Sequence, residues 1–598
     1  MLNLRKLTMS ITMMLLTACA TAPDVSDKRV ITKGSESPSR QQTYTAEELI
    51  AQARQAEQSE QPGLLLSAVK ALYQQGDCKT TLKVLQPLIP AISDIVQKEQ
   101  ARLIFSQCLL AIDQPALAKA SLDKVSNKLH ILPARLRFSA ELAEYHHDYL
   151  TAANYLAELI SLNPSLAESH YPKIWQLLEQ LDTTELTEAS ATSGYLTPWL
   201  ELARLTRQTP SLELSQGISL WQQQYPTLPI PEPVQQLFEQ ARYQPQNIAV
   251  ILPLSGRLGN QGQAIKEGVL AAYFAEKGQQ TYAPQLRFYD SVLLNESDIQ
   301  NLVLQHDFVL GPLLRENIPG VLTQLPPSTP ALLLNRVEQE KSVAHHYFYS
   351  LAPEDEARQL ARYLHGRGYK MPMLISAGRP LFERMAEQFV RQWQELERQE
   401  PTLVTFTDNK SMRNAVDSIL AIDQSERRIQ RVRSVINQEV YSFARNRRDV
   451  DAIIVFSNPA QTELLNPMIE SSISPFSDIV PVFATSRSFS KELGNNSLRD
   501  LRNLVFVDMP WMLPGADSDV KAEINELWPN RSDSESRLFA MGYDAYRLIP
   551  ELTVLHALRG RQIKGLTGEL SMDKQNRIVR RLPFGKIELD RVVSLAGD

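Results

Sequence analysis

Few side chains in this sequence are placed to do covalent chemistry, and the most telling of them is a thiol. Cys19 closes an apolar leader, while the other two cysteines of the 598 residues, Cys78 and Cys108, fall in helix-patterned sequence. The chain contains no G-x-S-x-G elbow, no H-E-x-x-H helix and no Walker loop. Gly256-x-x-Gly259-x-x-Gly262 is a glycine pattern without dinucleotide-binding spacing. His130, His146 and His147 lack the spacing of paired metal ligands, and His170 stands alone. These residues predict no catalytic set, no metal site and no cofactor apart from a lipid carried covalently on Cys19.

Arg5 and Lys6 give the leader a basic start, and Leu7 to Ala18 form its apolar run. A membrane span takes roughly 20 apolar residues, so the run has the size of a secretory h-region instead. Leu16-Thr17-Ala18-Cys19 resembles the bacterial lipobox, in which small residues precede the cysteine that becomes the mature N-terminus. Its sulfur is alkylated by a diacylglyceryl group, a step that requires a thiol. Ala20 follows where, in that lipoprotein class, an Asp tends to mark retention at the inner membrane, so the expected destination is the outer membrane. Residues 1–18 are thus expected to be a lipoprotein signal peptide. Residues 19–45 are polar, carry Pro and Gly, and read as a lipidated, flexible tether.

The net charge of −6 leaves no basic footprint for nucleic acid. With 43% apolar and 22% charged residues, wholesale disorder is also excluded. The length implies several domain-sized cores. Cys78 and Cys108 either pair, in a compartment that permits disulfides, or lie buried separately.

Residues 46–244 read as helical. The segments Cys78–Leu85, Pro115–Leu122 and Tyr149–Leu156 align without gaps, each after a short polar break, at a spacing close to the tetratricopeptide period. Ala118 and Ala152 permit close helix packing, and Leu85, Leu122 and Leu156 fill a seam. A further helix ends at Trp221 and Tyr225-Pro226. From Pro245 the pattern changes. Asn247–Leu254 is a continuous apolar run of the buried parallel-strand kind, and more runs follow at Leu286–Asp290, Phe308–Leu310, Ala331–Leu334, Met373–Ser376, Leu403–Thr407, Ala452–Phe456, Val480–Ala484 and Val505–Asp508. Helical stretches separate most of them, which predicts doubly wound α/β structure over residues 245–598, in two lobes.

NIAVILPLSGRLGNQGQAIKEGVLAAY resembles the opening of type I periplasmic-binding-protein folds, and Gly568, Asp573 and Arg577 match a closing turn of that fold. A lipobox, a tether, a tetratricopeptide-like array and a two-lobed module in this order resemble the family of outer-membrane lipoprotein activators of class A penicillin-binding proteins. The resemblance implies a non-catalytic regulator of peptidoglycan synthesis. It implies that the regulator, anchored in the outer membrane, docks through its binding-protein-like module on a bifunctional synthase and stimulates transpeptidation. The competing expectation is a solute-binding lipoprotein that captures an amino acid or cell-wall peptide.

Ligands of open α/β sheets sit beyond the carboxyl ends of strands. Those positions are Ser255, Gly256, Ser291, Asn335, Arg379, Asn458 and Thr485, and they line either a ligand cleft or a closed one. Between two strands, Ser425 to Asp449 places Ile429, Val432, Ile436, Val440 and Phe443 on one helical face, with arginines mostly elsewhere. Its Arg427, Arg428 and Arg431 form either a solvated basic face or a partner-docking surface.

Overall fold

The computed structural model describes residues 44–595 except 58–59, 182, 193, 210, 240–242, 278–281, 338–344, 437–440, 475–476, 493, 516–517, 530, 559 and 590. Cys19, with the signal peptide and nearly all of the tether, lies outside the described residues.

The three aligned segments each open a helix: Cys78–Ala91, Pro115–Leu122 and Tyr149–Leu162. One turn precedes all three. Gly76, Asp113 and His147 take φ of +79°, +63° and +59°. The next residue's N–H then reaches back to close the preceding helix, Asp77 to Leu72 (3.0 Å), Gln114 to Leu109 (2.9 Å) and Asp148 to Ala143 (2.9 Å). This left-handed closure satisfies carbonyls that the helix end would otherwise orphan. Asp77 and Asp148 go on to cap the following helix by accepting from the N–H of Thr80 (3.0 Å) and Thr151 (3.2 Å). Gln114 makes no such cap, and there Pro115 starts the helix, where its missing N–H costs nothing. At the matched inward position Thr81, Ala118 and Ala152 are fully buried, with Leu85, Leu122 and Leu156 beside them.

The chain divides into two compact units at Ser126 and Asn127. Among its described residues the first contains only helices, packed around Leu66, Val69, Leu85, Leu88, Ile92 and Ala101. Within it Cys78 and Cys108 form a disulfide, which decides the pairing that the sequence left open. The second unit begins with helices packed on Tyr171, Trp175, Trp199 and Trp221. Trp221 donates its indole N–H to the Pro198 carbonyl at 2.8 Å.

The same unit contains two sheets. In chain order, β1 (Asn247–Leu252), β2 (Gln285–Asp290), β3 (Phe308–Leu310), β4 (Ala331–Leu333) and β5 (His346–Tyr349) build the first, and β6 (Pro372–Ala377), β7 (Thr402–Phe406), β8 (Ala452–Phe456), β9 (Val482–Ala484) and β10 (Val505–Val507) the second. The end of the chain serves both. β11 (Ile563–Gly565), β12 (Gly568–Met572) and β13 (Arg577–Arg581) join the first sheet, and β14 (Phe584–Glu588) and β15 (Arg591–Leu595) the second. The strand orders are β11-β12-β13-β5-β4-β3-β1-β2 and β15-β14-β10-β9-β8-β6-β7. The five strands first laid down in each sheet run parallel, and β13 joins β5 in parallel, Ile578 opposite Tyr349. The chain therefore crosses between the lobes three times: from β5 to β6, from β10 to β11 and from β13 to β14.

The helices Gly259–Lys277 and Asp533–Leu548 cross at backbone distance. A Cβ on Gly268 would stand 2.0 Å from the Phe539 carbonyl oxygen, and one on Gly542 2.1 Å from that of Ile265. Only glycine fits at either point.

Candidate functional site

The predicted cleft residues all stand at carboxyl ends of strands, in two groups. On the first lobe, Ser255 and Gly256 follow β1 and are exposed, Gly256 with φ +69°. The Ser255 hydroxyl is committed to Asp290 at the end of β2. That bond, with the N–H groups of Val292 and Leu254, holds the Asp290 carboxyl below its ordinary range despite the opposing effect of desolvation. Ser291 bonds the Leu252 carbonyl through its N–H (2.8 Å), while its buried hydroxyl has no partner. Asn335 donates to the Leu313 carbonyl at 3.0 Å, tying the segments after β3 and β4 together.

On the second lobe, Arg379 is exposed ahead of the helix Pro380–Glu397 and makes no side-chain cap. Asn458 caps the helix Pro459–Ser472 in reciprocal bonds with Gln461. Thr485, after β9, is fully buried and its hydroxyl has no partner. Asn458 and Asn335 thus serve the backbone, which leaves little of either set directed at a ligand.

What occupies the strand ends of the second lobe is the chain itself. Ser486 donates to the buried Glu356 carboxylate through its N–H (3.0 Å) and its hydroxyl (2.9 Å). Asp508, immediately beyond β10, takes Arg537 at 2.6 Å, and the same guanidinium donates to the Ser486 carbonyl at 3.3 Å. Burial pushes the Glu356 carboxyl up, with Arg487 and Arg580 pulling it down. Burial also draws the Arg487 guanidinium down. A ligand's ammonium needs a carboxylate and its carboxylate needs a donor. Both are present here, but each is bonded to a residue of the chain. One more buried carboxylate, Asp544, accepts the N–H groups of Leu566 and Thr567 and the Thr567 hydroxyl (2.8, 2.7 and 2.6 Å). Sequence reasoning missed Glu356, Asp508, Arg537 and Asp544. Asp508 alone carried a signal, as the polar residue that ends an apolar run.

Arg427, Arg428 and Arg431 do come together. They lie on the exposed side of the helix Ile422–Val435 and, with Gln424, line a depression of about 350 Å³. Arg427 is also paired with Asp423 one turn earlier. This helix stops at Val435, so the apolar face expected to run on to Phe443 is interrupted; Val440 lies outside the described residues. Val432 and Ile436 are about half exposed, and Tyr441 is 93% exposed. Ser425 is the one residue buried on the helix. Of its apolar side chains, Val432 and Val435 are exposed, while Ile422 packs against the core around β6 and β8.

Among the described residues no cluster of three or more His, Cys, Asp or Glu side chains is arranged to hold a metal ion. No described helix is long and apolar enough to cross a membrane.

Helical repeats followed by a two-lobed, triply connected α/β module define a protein built like a periplasmic binding protein carrying a helical extension. Comparison with known proteins places it more narrowly: the chain belongs to the LppC lipoprotein family, which matches residues 39–586. It is 28% identical over 588 residues, 95% of each chain, to the penicillin-binding protein activator LpoA of Aliivibrio fischeri. It is 30% identical over 430 residues to the protein of that name from Vibrio antiquarius, covering 69% of this chain and 70% of the relative. Among solved structures, LpoA of Haemophilus influenzae shares the fold, with a TM-score of 0.61 at 22% identity over 93% of this chain and 98% of that one.

Proposed function

We propose that this protein is a non-catalytic regulator of peptidoglycan synthesis. It is held at the periplasmic face of the outer membrane by lipid on Cys19, binds a class A penicillin-binding protein and stimulates its transpeptidation. The observation that carries the reading is its likeness to the activator LpoA across 95% of both chains, helical part and α/β module alike. The filled strand ends support it, because a capture protein needs those groups free for its solute. The exposed Arg427, Arg428 and Arg431 beside the uncovered Val432 and Ile436 offer the mixed basic and apolar surface that interfaces favour.

The test is a cross-linking assay in which a purified class A synthase polymerises lipid-linked precursor with and without this protein. A rise in cross-linked product is expected. The combined Arg427→Glu, Arg428→Glu and Arg431→Glu variant should bind the synthase about tenfold more weakly, since charge reversal at a rim lowers association. Unchanged affinity in a folded variant removes that face from the interface. Tight calorimetric binding of an amino acid or muropeptide, with no synthase binding, would put the solute-receptor reading in its place.

A further inference from the structure

Where the helix Pro353–Gly366 meets β13 and β14, the chain encloses a groove of about 820 Å³. Five arginines line it, Arg358, Arg362, Arg367, Arg580 and Arg581, against one carboxylate in the lining, Asp355, with Glu395 acting on Arg362 and the buried Glu356 on Arg580 from beyond it. That carboxylate is already held twice, by Arg336 at 2.5 Å and by Arg358 at 2.9 Å. Arg580 is only 6% exposed, and its Nε has no acceptor. Burial, and after it the like charge of Arg358, draws the Arg362 guanidinium below its ordinary range. Cations gathered in a partly desolvated space repel one another unless an anion joins them. In a chain of net charge −6 this excess is a local arrangement and not a consequence of composition.

Part of the lining is aromatic, and the Arg367 guanidinium lies over its Tyr363 ring, 5.1 Å from the centroid. Tyr363 and Phe584 stack with ring centroids 3.9 Å apart and both face the groove. The volume lies in the range that takes a small organic ligand or short peptide, roughly 300–1,000 Å³. An inorganic anion would fill a small part of it and leave the aromatic wall bare.

We propose that this groove binds an acidic peptide, its carboxylates taken by Arg362 and Arg580 and its apolar atoms laid on the Tyr363–Phe584 stack. Guanidinium forks match carboxylates in paired, charge-assisted hydrogen bonds. Because β13 belongs to the first sheet and β14 to the second, the occupant spans both lobes at their third crossing and holds their angle. The proposal does not rest on the activator reading, and its test needs no synthase.

Labelled hexaglutamate titrated with the full-length protein and read by fluorescence anisotropy should give saturable one-to-one binding. Arg362→Gln should weaken it about tenfold, and Arg362→Lys, which keeps the charge but loses the fork, should also weaken it. The Lys410→Gln, Arg413→Gln pair on the helix Asn409–Ile419, which packs on β7 at the opposite edge of the second sheet from β14 and β15, should leave it unchanged, with thermal unfolding confirming that every variant folds. Absence of saturation would overturn the proposal, as would equal loss in the distant pair, which signals general electrostatics. Inorganic phosphate competing as well as unlabelled hexaglutamate would overturn the peptide assignment. In a further arm, displacement of the probe by a class A synthase assigns the acidic segment to a docked protein, and retention assigns it to a free peptide; both support an acidic-peptide site.

Discussion

Glu356 shows how a single buried carboxylate shapes the module. Its two oxygens take the N–H and hydroxyl of Ser486, so a residue of the helix Pro353–Gly366 closes over the end of β9. Burial lifts its carboxyl above the ordinary value near 4.5, and the folded protein therefore favours the protonated form. Between the unfolded and folded values the native state binds more protons. The stability that Glu356 contributes, measured against Glu356→Gln, should accordingly decline as pH rises through that window. Urea unfolding of both proteins from about pH 4 to about pH 8 checks this; a difference that grows with pH would show the neighbouring arginines outweighing burial. The glycine crossing gives a second prediction. A methyl group at Gly542 would meet the Ile265 carbonyl at 2.1 Å, so Gly542→Ala should cost about 1–3 kcal/mol or more in the same assay. The strand-end residues Ser255, Ser291, Asn335 and Asn458 were legible because a strand's limit shows where its apolar run stops. Glu356 and Arg537 were not, since a charged residue within an amphipathic helix reads as solvent-facing until the neighbouring element covers it.

The elements divide along similar lines. The three repeat helices begin at the residues the alignment indicated, because the turn ahead of each demands one left-handed residue and leaves a polar signature. β5 went unread: HYFY is short, aromatic and flanked by further polar residues, and it becomes a strand by pairing with β4 and β13. The helix carrying Arg427 ends sooner than its periodicity suggests: only Ser425 is buried on it, so little packing rewards another turn. The disulfide ties Cys78, at the start of one helix, to Cys108, near the end of the next, across 30 residues of sequence. Closing a loop of that size typically stabilises by about 2–4 kcal/mol. Cys108→Ala should therefore lower the unfolding temperature of the first unit, and reductant should do the same to the wild type and nothing further to the variant. Differential scanning calorimetry with and without reductant makes that comparison.

Across the second unit, helical part and α/β module are riveted by Arg561, only 4% exposed. Its guanidinium donates to the carbonyls of Thr206 (2.8 Å) and Thr209 (3.0 Å) and pairs with Glu551 at 2.9 Å. Gly560 beside it leaves room for Arg207, which holds the carbonyls of Leu178 and Glu179. Arg561→Ala should cost about 3–5 kcal/mol, the usual price of breaking a buried pair, and should raise hydrogen exchange in the helices Thr197–Gln208 and Leu552–Ala557 together. The division of the last five strands between the two sheets has a consequence for how the protein is made. Tyr349 must wait for Thr567, 218 residues later, before its hydroxyl finds its partner. β10 likewise lacks its neighbour β14 until the chain is nearly finished. Each sheet thus keeps one bare edge, at β5 in the first and at β10 in the second, until the chain is nearly finished. Both sheets are completed only in that last step, and a chaperone that shields strand edges would be needed most before it.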